Sequence, residues 1–120
     1  MKRILLIDDD LSQLRLLFIL AKEAGIDADT CNQFDADVRD WSGYDLVIVD
    51  AMMPIIDGKT LIANARGKLG ADFPPTILLS AMPLAALRNY ARGVSPCVSL
   101  MTKSGSISDI KQQFRDFASV

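Results

Sequence analysis

The chain of 120 residues contains no histidine. That absence removes Ser–His nucleophilic catalysis, histidine-ligated metal sites and a phosphohistidine carrier role, leaving carboxylates, hydroxyls, lysine and arginine for any chemistry. Cysteine is scarce too. Cys31 and Cys97 lie far apart in sequence and match no metal-ligand spacing, which reads as two reduced thiols in a cytosolic protein. No apolar run approaches a membrane span, and the stretch Ile4 to Ile7 is too short for a signal peptide. A cytoplasmic location with no membrane partner is therefore expected. Nor is there a basic stripe: a net charge of −2 and a pI near 4.9 argue against direct nucleic-acid binding.

What is present is a regular alternation of short apolar runs and helix-like stretches in a chain long enough for one core. A single domain over residues 1–120 is expected. Strands are predicted at Lys2 to Ile7, Asp27 to Cys31, Asp45 to Val49, Thr76 to Leu79 and Cys97 to Met101. Helices are predicted at Leu11 to Ala24, Ala36 to Trp41, Gly58 to Leu69, Leu84 to Arg92 and Ser108 to Ala118. Asp10 or Ser12 offers an N-cap and Gly25 a stop for the first helix, and Ser42-Gly43 closes the second. Phe73-Pro74-Pro75 breaks the third, Gly93 ends the fourth, and Ile107, Ile110, Phe114 and Phe117 line one face of the fifth. Five βα repeats imply an α/β fold, a doubly wound parallel sheet with right-handed crossovers and helices on both faces. Strands buried on both faces read as continuous apolar runs, as the first, third and fourth do.

Ligands of such sheets bind beyond the carboxyl ends of the strands. Asp8 and Asp9 follow the first strand, Asp50 the third, Ser80 the fourth and Lys103 the fifth. If the first and third strands are neighbours, Asp9 and Asp50 stand roughly 5 Å apart. Two such carboxylates can share a hard cation such as Mg²⁺. A cation there offsets the repulsion between a carboxylate and an anionic phosphoryl donor, which makes an aspartyl nucleophile plausible. Lys103 and Ser80 suit the oxygens of a transferred phosphoryl group. Asp57-Gly58 reads as a turn and helix entry rather than a ligand, and Asp10 as a cap or an exposed residue.

The segment Val49-Asp50-Ala51-Met52-Met53-Pro54-Ile55-Ile56-Asp57-Gly58 resembles the receiver domain of bacterial two-component response regulators, in which the phosphoacceptor Asp is followed by Met-Pro and Asp-Gly at these offsets. Ile7-Asp8-Asp9-Asp10 resembles its acidic pair, Leu79-Ser80-Ala81 its hydroxyl segment and Thr102-Lys103 its lysine. The resemblance spans essentially the whole chain. It implies a five-stranded CheY-like, flavodoxin-like sheet in the order 2-1-3-4-5. Asp50 would accept a phosphoryl group from a phosphohistidine on a histidine kinase or histidine phosphotransfer protein. Asp9, Asp50 and the backbone carbonyl of Met52 would ligate Mg²⁺, with Asp8 nearby acting through water. Lys103 would pair with the phosphoryl oxygens and Ser80 would swing to hydrogen-bond them.

The chain also departs from that pattern. The proline expected after the lysine is Ser104, and a trans Lys103–Ser104 bond is expected, because cis before serine costs roughly 2.5–4 kcal/mol. The switch aromatic three residues before the lysine is Leu100, and the stretch from Gly93 to Lys103, with Pro96 inside it, is longer than usual. Two other readings compete: a pseudo-receiver that binds partners without phosphorylation, favoured by Leu100 and Ser104, and a small Mg²⁺-dependent phosphatase of the haloacid-dehalogenase kind. The phosphatase would use the two-residue spacing of Asp8 and Asp10. On the first helix, Leu11, Leu14, Leu17, Phe18 and Ala21 form one face, and Leu16, Ile19 and Leu20 point elsewhere. Those three are expected either to dock a helical-bundle phosphodonor or to bury against a neighbouring helix. With no effector read after the last helix, output to an unknown downstream protein is expected by protein–protein contact around Ala81 to Arg92 and Leu100 to Gln112.

Overall fold

A computed structural model describes residues 1–94, 98–103 and 107–119. Five strands, β1 (Arg3–Ile7), β2 (Asp27–Cys31), β3 (Leu46–Asp50), β4 (Thr76–Ser80) and β5 (Val98–Thr102), pair in parallel in the order β2-β1-β3-β4-β5. They alternate with helices α1 (Leu11–Glu23), α2 (Gln33–Val38), α3 (Gly58–Leu69), α4 (Leu84–Tyr90) and α5 (Ile107–Ser119). This is the doubly wound α/β sheet and strand order expected from the sequence.

Side chains alternate across each strand, so one run of apolar residues feeds two cores. Leu5, Ile7, Val47, Val49 and Leu78 face α2, α3 and α4, packing with Trp41, Leu61, Ile62, Ala65 and Leu87. Ile4, Leu6, Leu46, Ile48 and Leu79 face α1 and α5, packing with Leu14, Leu17, Leu20, Ala21, Ile110 and Phe114. The polarity reversal lies between β1 and β3, whose register pairs Ile7 with Val49. Asp8 and Asp50, each one residue on, therefore emerge side by side at the crevice.

Asp10 is the N-cap of α1, its carboxylate accepting from the backbone of Ser12 at 2.9 Å. Gly25, with φ 77°, follows its end in the left-handed region, where a residue lacking Cβ is unstrained. The strand ends differ slightly from expectation. β3 runs one residue further than Val49 and includes Asp50, β4 includes Ser80, and α4 stops at Tyr90 rather than Arg92. The second helix is displaced more. It covers Gln33–Val38 instead of Ala36 to Trp41, because the Asn32 side chain accepts from the Asp35 N–H at 2.9 Å and starts the helix earlier. Trp41 lies outside it, buried, donating from its indole nitrogen to the Ala36 carbonyl at 3.0 Å. The face read for α1 also needs correcting. Leu20 is buried and Leu16 half-buried, whereas Leu11 is 72% exposed. Leu11 is the first residue of α1, ahead of the buried Leu14, Leu17 and Leu20. Cys97, Pro96 and Ser104, with the expected trans bond before Ser104, fall outside the described residues.

Candidate functional site

β1 delivers Asp8 into the crevice in line with the strand, its N–H donating to the Cys31 carbonyl of β2 at 3.2 Å. Asp8 is only 2% exposed, and its Oδ1 accepts from the Asp10 N–H at 3.1 Å. Asp9, next in the chain, is exposed at the rim. β3 delivers Asp50, also buried. Carboxylate oxygens of Asp8, Asp9 and Asp50, one from each, lie within 4.8 Å of one another.

β5 brings the counter-charge. The Lys103 N–H donates to the Ser80 carbonyl at 2.7 Å, extending the β4–β5 pairing past the last strand residue. From there its Nζ reaches 3.0 Å from Oδ1 of Asp50 and 3.4 Å from Oδ2 of Asp8. Ser80 is buried at the end of β4, and its Oγ accepts from the Met82 N–H at 3.0 Å. The structure thus gathers Asp8, Asp9, Asp50 and Lys103 directly, with the Ser80 hydroxyl at the entrance to α4. Met52 lies in the β3–α3 connection two residues beyond Asp50, with its side chain exposed.

One ammonium cannot balance three carboxylates. Burial, with the charge of Asp50 adding to it, pushes Asp8 up to about 6 against the Asp10 N–H and Lys103, which favour its ionised form. Burial likewise raises Asp50, although Lys103 opposes it by hydrogen bond and charge. Burial alone would lower Lys103, but Asp50 and Asp8 outweigh it and hold the ammonium protonated above its ordinary value. An all-oxygen donor set short of positive charge is what a hard metal cation fits, and Asp8, Asp9 and Asp50 are the residues that could hold one.

Asp57 takes the role expected of it as N-cap of α3, accepting from the Thr60 N–H at 2.9 Å. Two features of this region escaped the sequence reading. Gly58 is packed so closely that a Cβ would lie 2.6 Å from the Asp50 carbonyl oxygen. The Tyr90 hydroxyl of α4 sits 3.0 Å from the Ala51 carbonyl and 2.9 Å from Oδ2 of Asp57. Helical spacing offered a signal for Tyr90, which lies three residues after the buried Leu87 and so on the same face.

No family model matches the chain, and no curated protein sequence matches it. Solved structures do. The response regulator protein TrrA from Thermotoga maritima, solved in complex with Mg²⁺ and BeF, is 31% identical, with a TM-score of 0.76 over 97% of this chain and 98% of that one. A Francisella response regulator receiver domain is 23% identical, with a TM-score of 0.74 over 99% of this chain and 98% of its own. The receiver domain of a Pseudomonas aeruginosa sensor histidine kinase, solved with a magnesium ion in its active-site cleft, is 16% identical, with a TM-score of 0.75 over 99% of this chain and 98% of its own. The last two show the shared fold; the first, with the strand order and acidic crevice described above, places this chain among the CheY-like response regulator receiver domains.

Proposed function

We propose that this receiver accepts a phosphoryl group on Asp50 from the phosphohistidine of a histidine kinase or phosphotransfer protein, in a Mg²⁺-dependent reaction, and signals through protein contacts. The observation that carries the reading is the 3.0 Å pair between Lys103 Nζ and Asp50 Oδ1 inside a crevice that Asp8 and Asp9 keep short of positive charge. Asp8, Asp9, Asp50 and the Met52 carbonyl would hold Mg²⁺. When bound, the ion would neutralise the oxygens of the incoming phosphoryl group and of the carboxylate it approaches. An Asp50 oxygen forms the new O–P bond as the P–N bond to the partner's imidazole breaks, its electron pair returning to the ring nitrogen. Lys103 stays protonated and pairs with the phosphoryl oxygens. Ser80 supplies a hydroxyl to the same oxygens by leaving the Met82 N–H.

The surroundings of the crevice support a protein donor. Leu11, Met52, Ile55 and Leu84 are large apolar residues left exposed in or just after the connections that follow β1, β3 and β4. Beside them, Leu11, Leu14, Arg15, Phe18, Ile19 and Thr30 line a groove of about 340 Å³. An apolar collar around a buried acidic centre suits a partner that covers the site and excludes water during transfer. Ile19 keeps its place in this docking surface. Leu11 and Phe18 join it in place of Leu16 and Leu20.

A phosphatase using Asp8 and Asp10 fits poorly, because the Asp10 carboxylate is committed to the N-terminus of α1. Incubation with Mg²⁺ and acetyl phosphate, followed by intact mass and peptide mapping, tests the proposal. Label on Asp50 that is absent from Asp50→Asn is expected. No label, together with no Mg²⁺-dependent binding of beryllofluoride, would replace the proposal with a non-phosphorylated binding module. For the collar, Leu11→Asp with Ile19→Asp should block transfer from the partner while leaving acetyl phosphate labelling intact.

A further inference from the structure

The helix α4 is weakly anchored. It has seven residues, too few to be stable by itself, and Leu87 is its one buried side chain. Among the described residues no side chain caps its N-terminus, which begins after Pro83. Two hydrogen-bonded tethers flank it. At the entrance, the Met82 N–H is held by the Ser80 hydroxyl at 3.0 Å. At its last residue, the Tyr90 hydroxyl reaches the Ala51 carbonyl and the Asp57 carboxylate at 3.0 and 2.9 Å.

Ala51 is the residue immediately after the acceptor. Its N–H donates to the Leu79 carbonyl at 2.8 Å, and its carbonyl already accepts from the Gly58 N–H at 3.0 Å. The Tyr90 contact makes that carbonyl a junction joining the end of β3, the start of α3 and the end of α4. A hydroxyl carries one proton, so its two acceptors share it, and movement of the Ala51 carbonyl away from the hydroxyl shifts the bond towards Asp57. The ring is fixed meanwhile, half-buried against the core and with Lys59 Nζ 5.2 Å from its centroid.

We infer that Tyr90 is a positioning residue that ties the end of α4 to the backbone beside Asp50, so that α4 senses the state of the acceptor segment. The inference rests on the receiver reading above and names the route by which the site reaches the surface around α4. Leu100, which stands where the receiver pattern has its switch aromatic, has no hydroxyl with which to make such a bond.

Tyr90→Phe removes the hydroxyl and keeps the ring. Backbone hydrogen exchange of Leu84–Tyr90 would be followed in the full chain with Mg²⁺ alone and with Mg²⁺ plus beryllofluoride, and Asp50 labelling by acetyl phosphate would be measured separately. Without beryllofluoride, α4 in the variant should exchange roughly tenfold faster, the loss expected for a hydrogen bond to a charged group, while β1 and β3 keep their protection. With beryllofluoride, α4 exchange should change in the wild type and by less than half as much in the variant. Equal exchange in the two unloaded proteins, or an undiminished response in the variant, overturns the inference. If the wild type takes no label on Asp50 and no beryllofluoride, the receiver reading fails by itself, and the unloaded comparison still decides the tether.

Discussion

Lys103 Nζ stands 3.0 Å from Asp50 Oδ1, and no second ammonium shares the crevice among the described residues. Removing it leaves buried carboxylates facing one another without compensation. Lys103→Met should therefore lower stability in the absence of divalent cations by about 3 kcal/mol, the cost typical of breaking a buried pair. Millimolar Mg²⁺ should restore more of the denaturant midpoint in the variant than it adds to the wild type. Equal midpoints for the two proteins in chelator would show that Lys103 does not balance the site.

Asp8 gives a pH dependence of unusual sign. Its folded value is raised to about 6 from an ordinary 3.8, so between those values the folded state holds a proton that the unfolded chain has released. Stability without metal should consequently fall as pH rises through that window, since the folded state binds more protons there. Asp57 behaves oppositely. Burial acts to raise it but is outweighed by hydrogen bonds from Thr60 and Tyr90, so its contribution is lost only as pH falls below the ordinary carboxylate range. Urea midpoints collected in chelator from about pH 4.5 to about pH 7 should decline in the wild type and decline less in Asp8→Asn, where Asp50, also raised by burial, still contributes. Because protons and metal compete for the same oxygens, Mg²⁺ stabilisation should grow across the same interval. A wild-type midpoint rising with pH, with an identical trend in Asp8→Asn, would refute the assignment.

The strand ends were legible because their signal is local: an aliphatic run broken by a carboxylate, a hydroxyl or a lysine. Asp8, Asp50, Ser80 and Lys103 could therefore be placed on one rim from the sequence alone. Which acidic residue is buried was not legible, since Asp8 and Asp9 differ only in the direction each leaves β1. Helix α2 was misplaced because the Asn32 cap competes with the Ser42-Gly43 stop, and only the cap's bond to the Asp35 N–H decides between them. The exposed Leu11 and buried Leu20 depend on how α1 packs against the sheet and where it meets α5, which helical periodicity alone does not contain. Tyr90 lay further out of reach, because its partner Ala51 is 39 residues away in sequence.

Ile55 has φ 70° in the connection between β3 and α3, with its side chain 89% exposed. A β-branched residue in the left-handed region is strained by roughly 1–2 kcal/mol, and exposure leaves little packing to offset that. Glycine relieves the strain but adds freedom to the unfolded chain worth roughly 0.5–1 kcal/mol. Ile55→Gly should thus stabilise the protein by about 0.5 to 1 kcal/mol, read as a higher denaturant midpoint at unchanged slope. An equal or lower midpoint would mean that the surrounding loop holds this conformation without strain.

Gly58 requires the opposite substitution experiment. Its φ is not in the left-handed region, so its constraint is space rather than backbone conformation. A Cβ at this position would meet the Asp50 carbonyl oxygen at 2.6 Å, Leu78 Cδ1 at 2.8 Å and Ala51 Cα at 3.0 Å. Leu78 can rotate, but the other two atoms belong to the backbone that carries the acceptor. Accommodating a methyl group means moving the start of α3 away from the end of β3, which stretches the Gly58 N–H bond to the Ala51 carbonyl. Gly58→Ala should cost about 2–3 kcal/mol, an overpacking penalty that exceeds the roughly 1 kcal/mol of helix propensity gained. Because the clash falls on Asp50 and Ala51, the variant that still folds should also label more slowly with acetyl phosphate. A stable Gly58→Ala protein with normal labelling would show that α3 can retreat without carrying the acceptor segment with it.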